Sequence, residues 1–135
     1  MQLGSAGPRD TERAGAALAE RLGPGDVVLV RGELGSGKTT FVRGACRALG
    51  VEGRVTSPTF TIGQLYEAPV EIAHLDLYRL DSLAGEDPAL LDDYLTAQRV
   101  AFVEWPEAAE PVLERVKARV TIEHRGGDAR EITIE

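Results

Sequence analysis

The sequence predicts an α/β fold, a three-layer sandwich built on a mixed sheet with an antiparallel C-terminal hairpin. Three observations lead there. Residues 26–31 (DVVLVR) are a short, continuous, valine-rich run, the pattern of a strand buried on both faces. A glycine-rich stretch follows it, and then an amphipathic helical pattern over 38–49. Near the end, residues 117–124 and 129–135 alternate apolar and polar positions about Arg125-Gly126-Gly127-Asp128, a hairpin signature.

The elements can be justified in chain order. Residues 11–22 read as an amphipathic helix, with Ala14, Ala17, Leu18 and Leu22 as its apolar stripe and Asp10 or Thr11 as its N-cap. Gly23-Pro24-Gly25 ends it. In the helix at 38–49, Phe41, Val42, Ala45, Cys46 and Leu49 form the buried face, Arg43 and Arg47 the wet one, and Gly50 the C-cap. Residues 60–66 and 71–77 read as two strands of a hairpin joined at Glu67-Ala68-Pro69-Val70. Residues 87–95 predict a short helix or turn region, and 100–103 another buried strand. No linker divides the chain, so residues 1–135 are expected to form a single domain.

Composition narrows the function classes. Hydrophobic residues at 43% and charged residues at 27% are those of a globular chain, not a disordered one. The longest apolar runs fall far short of the roughly 20 residues that span a bilayer. Residues 1–10 have neither the basic head nor the apolar core of a secretory signal. One cysteine, Cys46, excludes an internal disulfide and a multi-thiolate metal site. A cytoplasmic location with no membrane partner is therefore expected. A formal charge of -7 disfavours nucleic acid as the main partner, since phosphate neutralisation needs a surplus of cations.

The most specific local signal is Gly32-Glu33-Leu34-Gly35-Ser36-Gly37-Lys38-Thr39, a full match to G-x-x-x-x-G-K-[ST] between a buried strand and an amphipathic helix. With 15 Gly in the chain and Lys only at 38 and 117, chance supplies roughly 0.002 such matches, so the match is informative. The chemistry explains each residue type. The glycines let the backbone turn its N–H groups inward to form an anion-binding nest at the positive end of the helix. Lys38 extends a charge to the β- and γ-phosphates, and the Thr39 hydroxyl ligates Mg²⁺. The fold expected is accordingly P-loop NTPase-like.

Such a site needs a carboxylate near Mg²⁺ at the end of a strand, because ligands sit at the carboxyl ends of parallel strands, and two segments offer one. Asp76 follows the apolar run Ile72-Ala73-His74-Leu75, and Glu104 follows Val100-Ala101-Phe102-Val103. Asp76 would hold Mg²⁺ directly or through water. Glu104 would ligate the metal or orient the attacking water. The alternative for each acid is a solvated strand end or a helix cap. Thr56-Ser57-Pro58-Thr59-Phe60 is placed where such proteins carry a γ-phosphate-sensing loop, with Thr59 aimed at the metal; a plain loop entering a strand is the other reading. Trp105 is read as buried at a strand end, or else as a cover for the site or an anchor for a partner. His74 and His124 lack companions at ligand spacing, which points to structural roles, and Cys46 is expected to be inert.

The segments GELGSGKTTF (32–41), SPTF (57–60), HLDLYRL (74–80) and Val103-Glu104-Trp105, in that order, closely resemble the bacterial TsaE (YjeE) family over effectively the whole chain. The resemblance implies one P-loop α/β domain that binds and slowly hydrolyses ATP with Mg²⁺ during tRNA N6-threonylcarbamoyladenosine biosynthesis. It also implies partners: the threonylcarbamoyl transferase and its inactive paralogous subunit, with tRNA contacted only indirectly. By residue, it implies Lys38 and Thr39 as phosphate and Mg²⁺ ligands, Thr59 as the switch threonine, and Asp76 and Glu104 as the two acids. Thr11 matches a threonine near the nucleotide. The nucleotide-contact set is then Thr11, Gly35, Ser36, Gly37, Lys38, Thr39, Thr40 and Thr59. Glu33 stands where the family usually has Asp, without consequence for phosphate binding.

A small-molecule kinase would share the loop but needs a lid or substrate insertion for which 135 residues leave little room. A GTPase would carry N-K-x-D, and Lys117 follows Arg115 and Val116 instead. A nucleotide-gated adaptor differs from the ATPase only in whether hydrolysis matters.

Overall fold

The computed structural model describes residues 1–58, 61–80 and 89–135. Among the described residues, nine strands and α-helices follow one another: β1 (Gln2–Ser5), α1 (Pro8–Ala19), β2 (Val27–Gly32), α2 (Lys38–Ala48), β3 (Gly63–Tyr66), β4 (Glu71–Asp76), β5 (Arg99–Glu104), β6 (Val116–His124) and β7 (Arg130–Ile134). They build one seven-stranded sheet in the order β1-β7-β6-β2-β5-β4-β3. The four central strands, β6, β2, β5 and β4, are parallel. Both edges are antiparallel: β3 on β4, and the hairpin β6–β7 extended by β1. This is the mixed sheet with an antiparallel C-terminal hairpin that the sequence predicts.

The period of two along the central strands sorts their side chains onto two faces. Val28, Val30, Ile72, Phe102, Val120 and Ile122 meet α1 and α2 through Leu18, Phe41, Val42, Ala45 and Cys46. Leu29, Ala73, Leu75 and Val103 face the other way, against Leu77, Leu91 and Ala109. No α-helix covers that second face among the described residues. The third layer is made of turns around 89–94 and two 3-10 segments, Pro106–Ala108 and Glu110–Val112. The expected helix or turn region at 87–95 is thus a turn over its described part; Asp87 and Pro88 lie outside the described residues.

Three expectations about boundaries are corrected. The first helix begins at Pro8, not Thr11, and ends at Ala19; Gly7 is its N-cap and Pro8 occupies the first turn. Proline suits that position because its missing N–H has no intrahelical acceptor there. Asp10 does not cap the helix and instead accepts a hydrogen bond from the Ala6 N–H at 2.9 Å, while Thr11 is buried inside the helix. Second, the strand expected over 60–66 starts only at Gly63, after a bend at Thr61 and Ile62. Third, the C-cap of α2 is not Gly50; β1 is an element for which the sequence reading holds no expectation. At the far end of α2, Leu49 is the cap and Gly50 follows with φ 102°.

The two helices meet backbone to backbone. A Cβ on Gly15 would run into the Phe41 carbonyl, and one on Gly44 into the backbone of Glu12. This close crossing seats the start of α1 beside the start of α2. No helix among the described residues is long and apolar enough to cross a membrane.

Candidate functional site

The loop 32–37 leaves β2 and enters α2 through three glycines with positive φ: Gly32 (156°), Gly35 (75°) and Gly37 (106°). Gly32 has no room for a side chain, since a Cβ would collide with Ser36 Oγ and the Ile122 carbonyl. Gly35 and Gly37 need glycine for their left-handed backbone. The Ser36 N–H closes a turn onto the Glu33 carbonyl at 3.0 Å. Ser36 Oγ is fully buried with no hydrogen-bond partner among the described residues.

Lys38 opens α2 and folds back over the loop. Its Nζ donates to the carbonyls of Gly32 (2.7 Å) and Glu33 (2.9 Å), and the side chain is 5% exposed. Burial lowers the lysine pKa from its ordinary value, while Glu104, Asp76 and Glu107 pull it back up. The Trp105 ring lies over the ammonium, 4.2 Å from Nζ to the ring centroid, and packs against Tyr78 at 4.8 Å between centroids. Trp105 holds the left-handed conformation (φ 53°, ψ 57°), a strained state for a non-glycine residue. That turn, directly after β5, swings the indole across the lysine. Trp105 is therefore a half-buried cover and not a core residue.

The structure brings Thr39 and Glu104 together and sets Asp76 at the same strand end. Thr39 Oγ1 donates to both carboxylate oxygens of Glu104, at 3.2 and 3.1 Å. Asp76 and Glu104 are register partners across β4 and β5, so both acids emerge at the same level of the sheet. Asp76 accepts from Ser57 Oγ at 2.8 Å and from the Tyr78 N–H at 3.0 Å. Thr40 continues the first turn of α2, half-buried. Thr11 abuts the loop: its methyl is 3.7 Å from where a Gly37 Cβ would stand, and its hydroxyl lies 2.8 Å from Ser5 Oγ. Thr59 lies outside the described residues.

Sequence reasoning missed the support of Glu104. His74, fully buried, places Nε2 2.5 Å from Glu104 Oε2, and its Nδ1 is 3.2 Å from the Tyr66 hydroxyl. That hydroxyl also reaches the Thr56 carbonyl at 3.2 Å. His74 is two residues before Asp76 on the same strand face, so strand periodicity could have flagged it. Arg31, near the loop in sequence, is paired with Glu110 and Glu107, and Arg79 is exposed. A cleft of about 460 Å³ opens beside the loop, bounded by Gly32, Glu33, Trp105, Thr121 and Arg125 among others.

Fold and site together define an α/β protein whose glycine-framed strand–loop–helix unit points a buried lysine, a threonine and two acids to one end of a parallel sheet core. A family model described as "Threonylcarbamoyl adenosine biosynthesis protein TsaE" matches residues 5–132. The Bacillus subtilis protein named "tRNA threonylcarbamoyladenosine biosynthesis protein TsaE" is 39% identical over 127 residues, covering 93% of this chain and 79% of its own. A protein of the same name from Treponema pallidum is 32% identical over 134 residues and 99% of each chain. The crystal structure of Bacillus subtilis YdiB superposes with a TM-score of 0.82 at 33% identity, covering 99% of this chain and 83% of that one. The chain belongs to the TsaE family.

Proposed function

We propose that this chain is a Mg²⁺-dependent ATP-binding and ATP-hydrolysing accessory protein of tRNA threonylcarbamoyladenosine modification, acting on the threonylcarbamoyl transferase and its inactive paralogous subunit. The observation that carries the reading is the junction of Lys38, Thr39 and Glu104 at the mouth of a glycine-framed loop. The names of its relatives support the pathway.

The residues fit both groups. Hydroxyl and carboxylate oxygens, from Thr39, Asp76 and Glu104, are the hard donors that Mg²⁺ prefers. The loop has the glycines, the helix start and the lysine that a polyphosphate requires, and the buried Ser36 hydroxyl is unpaired within it among the described residues. When bound, Mg²⁺ supplies positive charge to the phosphate oxygens. Lys38 exchanges its two loop carbonyls for phosphate oxygens. Glu104, held from behind by His74, keeps its carboxylate toward Thr39 and orients the attacking water or holds the metal. Trp105 and Tyr78 restrict water over the lysine. Arg31 is occupied by two glutamates, so charge stabilisation in the transition state is incomplete and turnover by the isolated protein is slow.

The test is calorimetry with ATP and Mg²⁺, followed by phosphate release with and without the transferase pair. Lys38→Ala abolishes measurable ATP binding, and Glu104→Ala retains binding but slows turnover. Wild-type affinity in the lysine variant refutes the reading. Normal modification supported by a hydrolysis-dead Glu104 variant favours the adaptor instead.

A further inference from the structure

We propose that Arg130 is a positioning residue of the phosphate loop, its guanidinium holding the loop in the shape that accepts an anion. The inference rests on the nucleotide-binding reading above and extends it to a residue 94 positions away from the loop.

The geometry is that of a clamp. Arg130 Nε donates to the Ser36 carbonyl at 2.9 Å and Nη2 to the Gly35 carbonyl at 3.3 Å. On the other side, Nη1 donates to the carbonyls of Gly127 (2.7 Å) and Ala129 (2.9 Å) in the hairpin turn. One side chain therefore joins the loop to the tip of the β6–β7 hairpin. Its own root is fixed, because Arg130 is a register partner of His124 on one side and Ser5 on the other. Ser5 in turn holds Thr11, which lies against Gly37, so the loop is braced from two directions.

The chemistry gives the clamp a purpose. For successive backbone N–H groups to converge on an anion, neighbouring carbonyls must turn outward, away from it. Gly35 and Gly37 make that arrangement possible but also make it costly to order, since glycine loses the most backbone freedom. Water could satisfy the outward carbonyls without fixing their direction. A guanidinium is a rigid planar fork whose donors fix both at once, and its charge is never lost at ordinary pH. The contacts are to the loop and not to a γ-phosphate, so the benefit belongs equally to ATP and ADP. It appears in affinity and not in the hydrolysis step.

Calorimetry with ATP and with ADP, and saturation kinetics of phosphate release, compare wild type, Arg130→Ala, Arg130→Lys and Lys38→Ala. Arg130→Ala weakens both nucleotides by about tenfold, the loss of one charge-assisted hydrogen bond's worth of organisation, and raises KM in parallel while kcat stays within about twofold. Arg130→Lys falls between, keeping the charge but not the fork, and serves in place of the alanine variant if that one does not fold. Measurements are made well below each variant's melting midpoint, where a merely structural role leaves affinity unmoved. Wild-type affinity in both Arg130 variants, or a fall in kcat with KM unchanged, overturns the proposal. If those variants bind normally while Lys38→Ala does not, only the clamp fails. If Lys38→Ala also binds normally, the nucleotide reading fails with it.

Discussion

Replacing His74 by alanine removes a fully buried imidazole whose Nε2 lies 2.5 Å from a Glu104 carboxylate that is itself 2% exposed. Two costs can be worked from that geometry. The first is stability: breaking a buried polar pair from one side leaves the carboxylate short of a partner, about 3–5 kcal/mol in comparable cases. Glu104 keeps the Thr39 hydroxyl at 3.1 and 3.2 Å, so the lower end of that range applies. The second is catalytic. With its rear support gone, the carboxylate pivots about Thr39, and a displacement near 1 Å costs about 100-fold in rate. Lys38 and the loop are untouched, so ATP affinity should stay within about threefold. His74→Gln, whose amide can donate from a position similar to Nε2, should recover part of both losses. Single-turnover phosphate release, calorimetry with ATP and a urea melt measure the three quantities. An alanine variant with wild-type kcat, or one that loses affinity while keeping kcat, refutes the argument that His74 aims Glu104.

Two further outcomes follow from the packing. Gly44→Ala drives a methyl group into the backbone of Glu12, where no side chain can yield, and should cost at least about 2 kcal/mol in a urea melt; an unchanged midpoint would mean that the helices do not cross in contact. Cys46 is fully buried, and burial pushes its thiol up to about 12, so native protein at pH 8 should resist a disulfide reagent until it unfolds. Because the native thiol is the weaker acid, its stabilising contribution is complete below pH 9 and declines as pH rises toward 12, while Lys38, lowered by burial, acts in the opposite sense below its ordinary value. The stability difference between wild type and Cys46→Ala isolates the thiol, and a difference that grows in favour of wild type over that interval contradicts the burial.

The parts of the fold that were legible in the sequence are those whose determinants are local. The valine run of β2, the apolar stripe of α2 and the Gly126-Gly127 turn each announce themselves within a dozen residues. Gln2–Ser5 does not, because a four-residue strand has no period to read and owes its existence to pairing with β7 at the other end of the chain. The start of α1 was misplaced because two good capping residues, Asp10 and Thr11, follow a glycine that caps without a side chain. Motif and strand-end position singled out Lys38, Thr39, Asp76 and Glu104; the structure joins Thr39 to Glu104 and sets Asp76 in register with it, and their roles remain a proposal. What lay hidden were the supports. Arg130 reaches the loop only after the hairpin closes, and the period of two sets His74 on the face of Asp76 without showing that Glu104 of β5 meets it.

Val30, Glu104 and Asp76 stand in one row across three adjacent parallel strands. The interval between the acids, and from Glu104 to the strand that feeds the glycine loop, is thus one rung of the ladder, with Asp76 two rungs from that strand, and owes nothing to the length of the chain that connects the strands. A change in the length of the connection from Asp76 to Arg99 does not by itself alter it. Only a slip in strand pairing could, and a one-residue slip would turn the buried side chains of β4 to the opposite face. The spacing of the two acids is in this sense drawn to a fixed scale by the sheet.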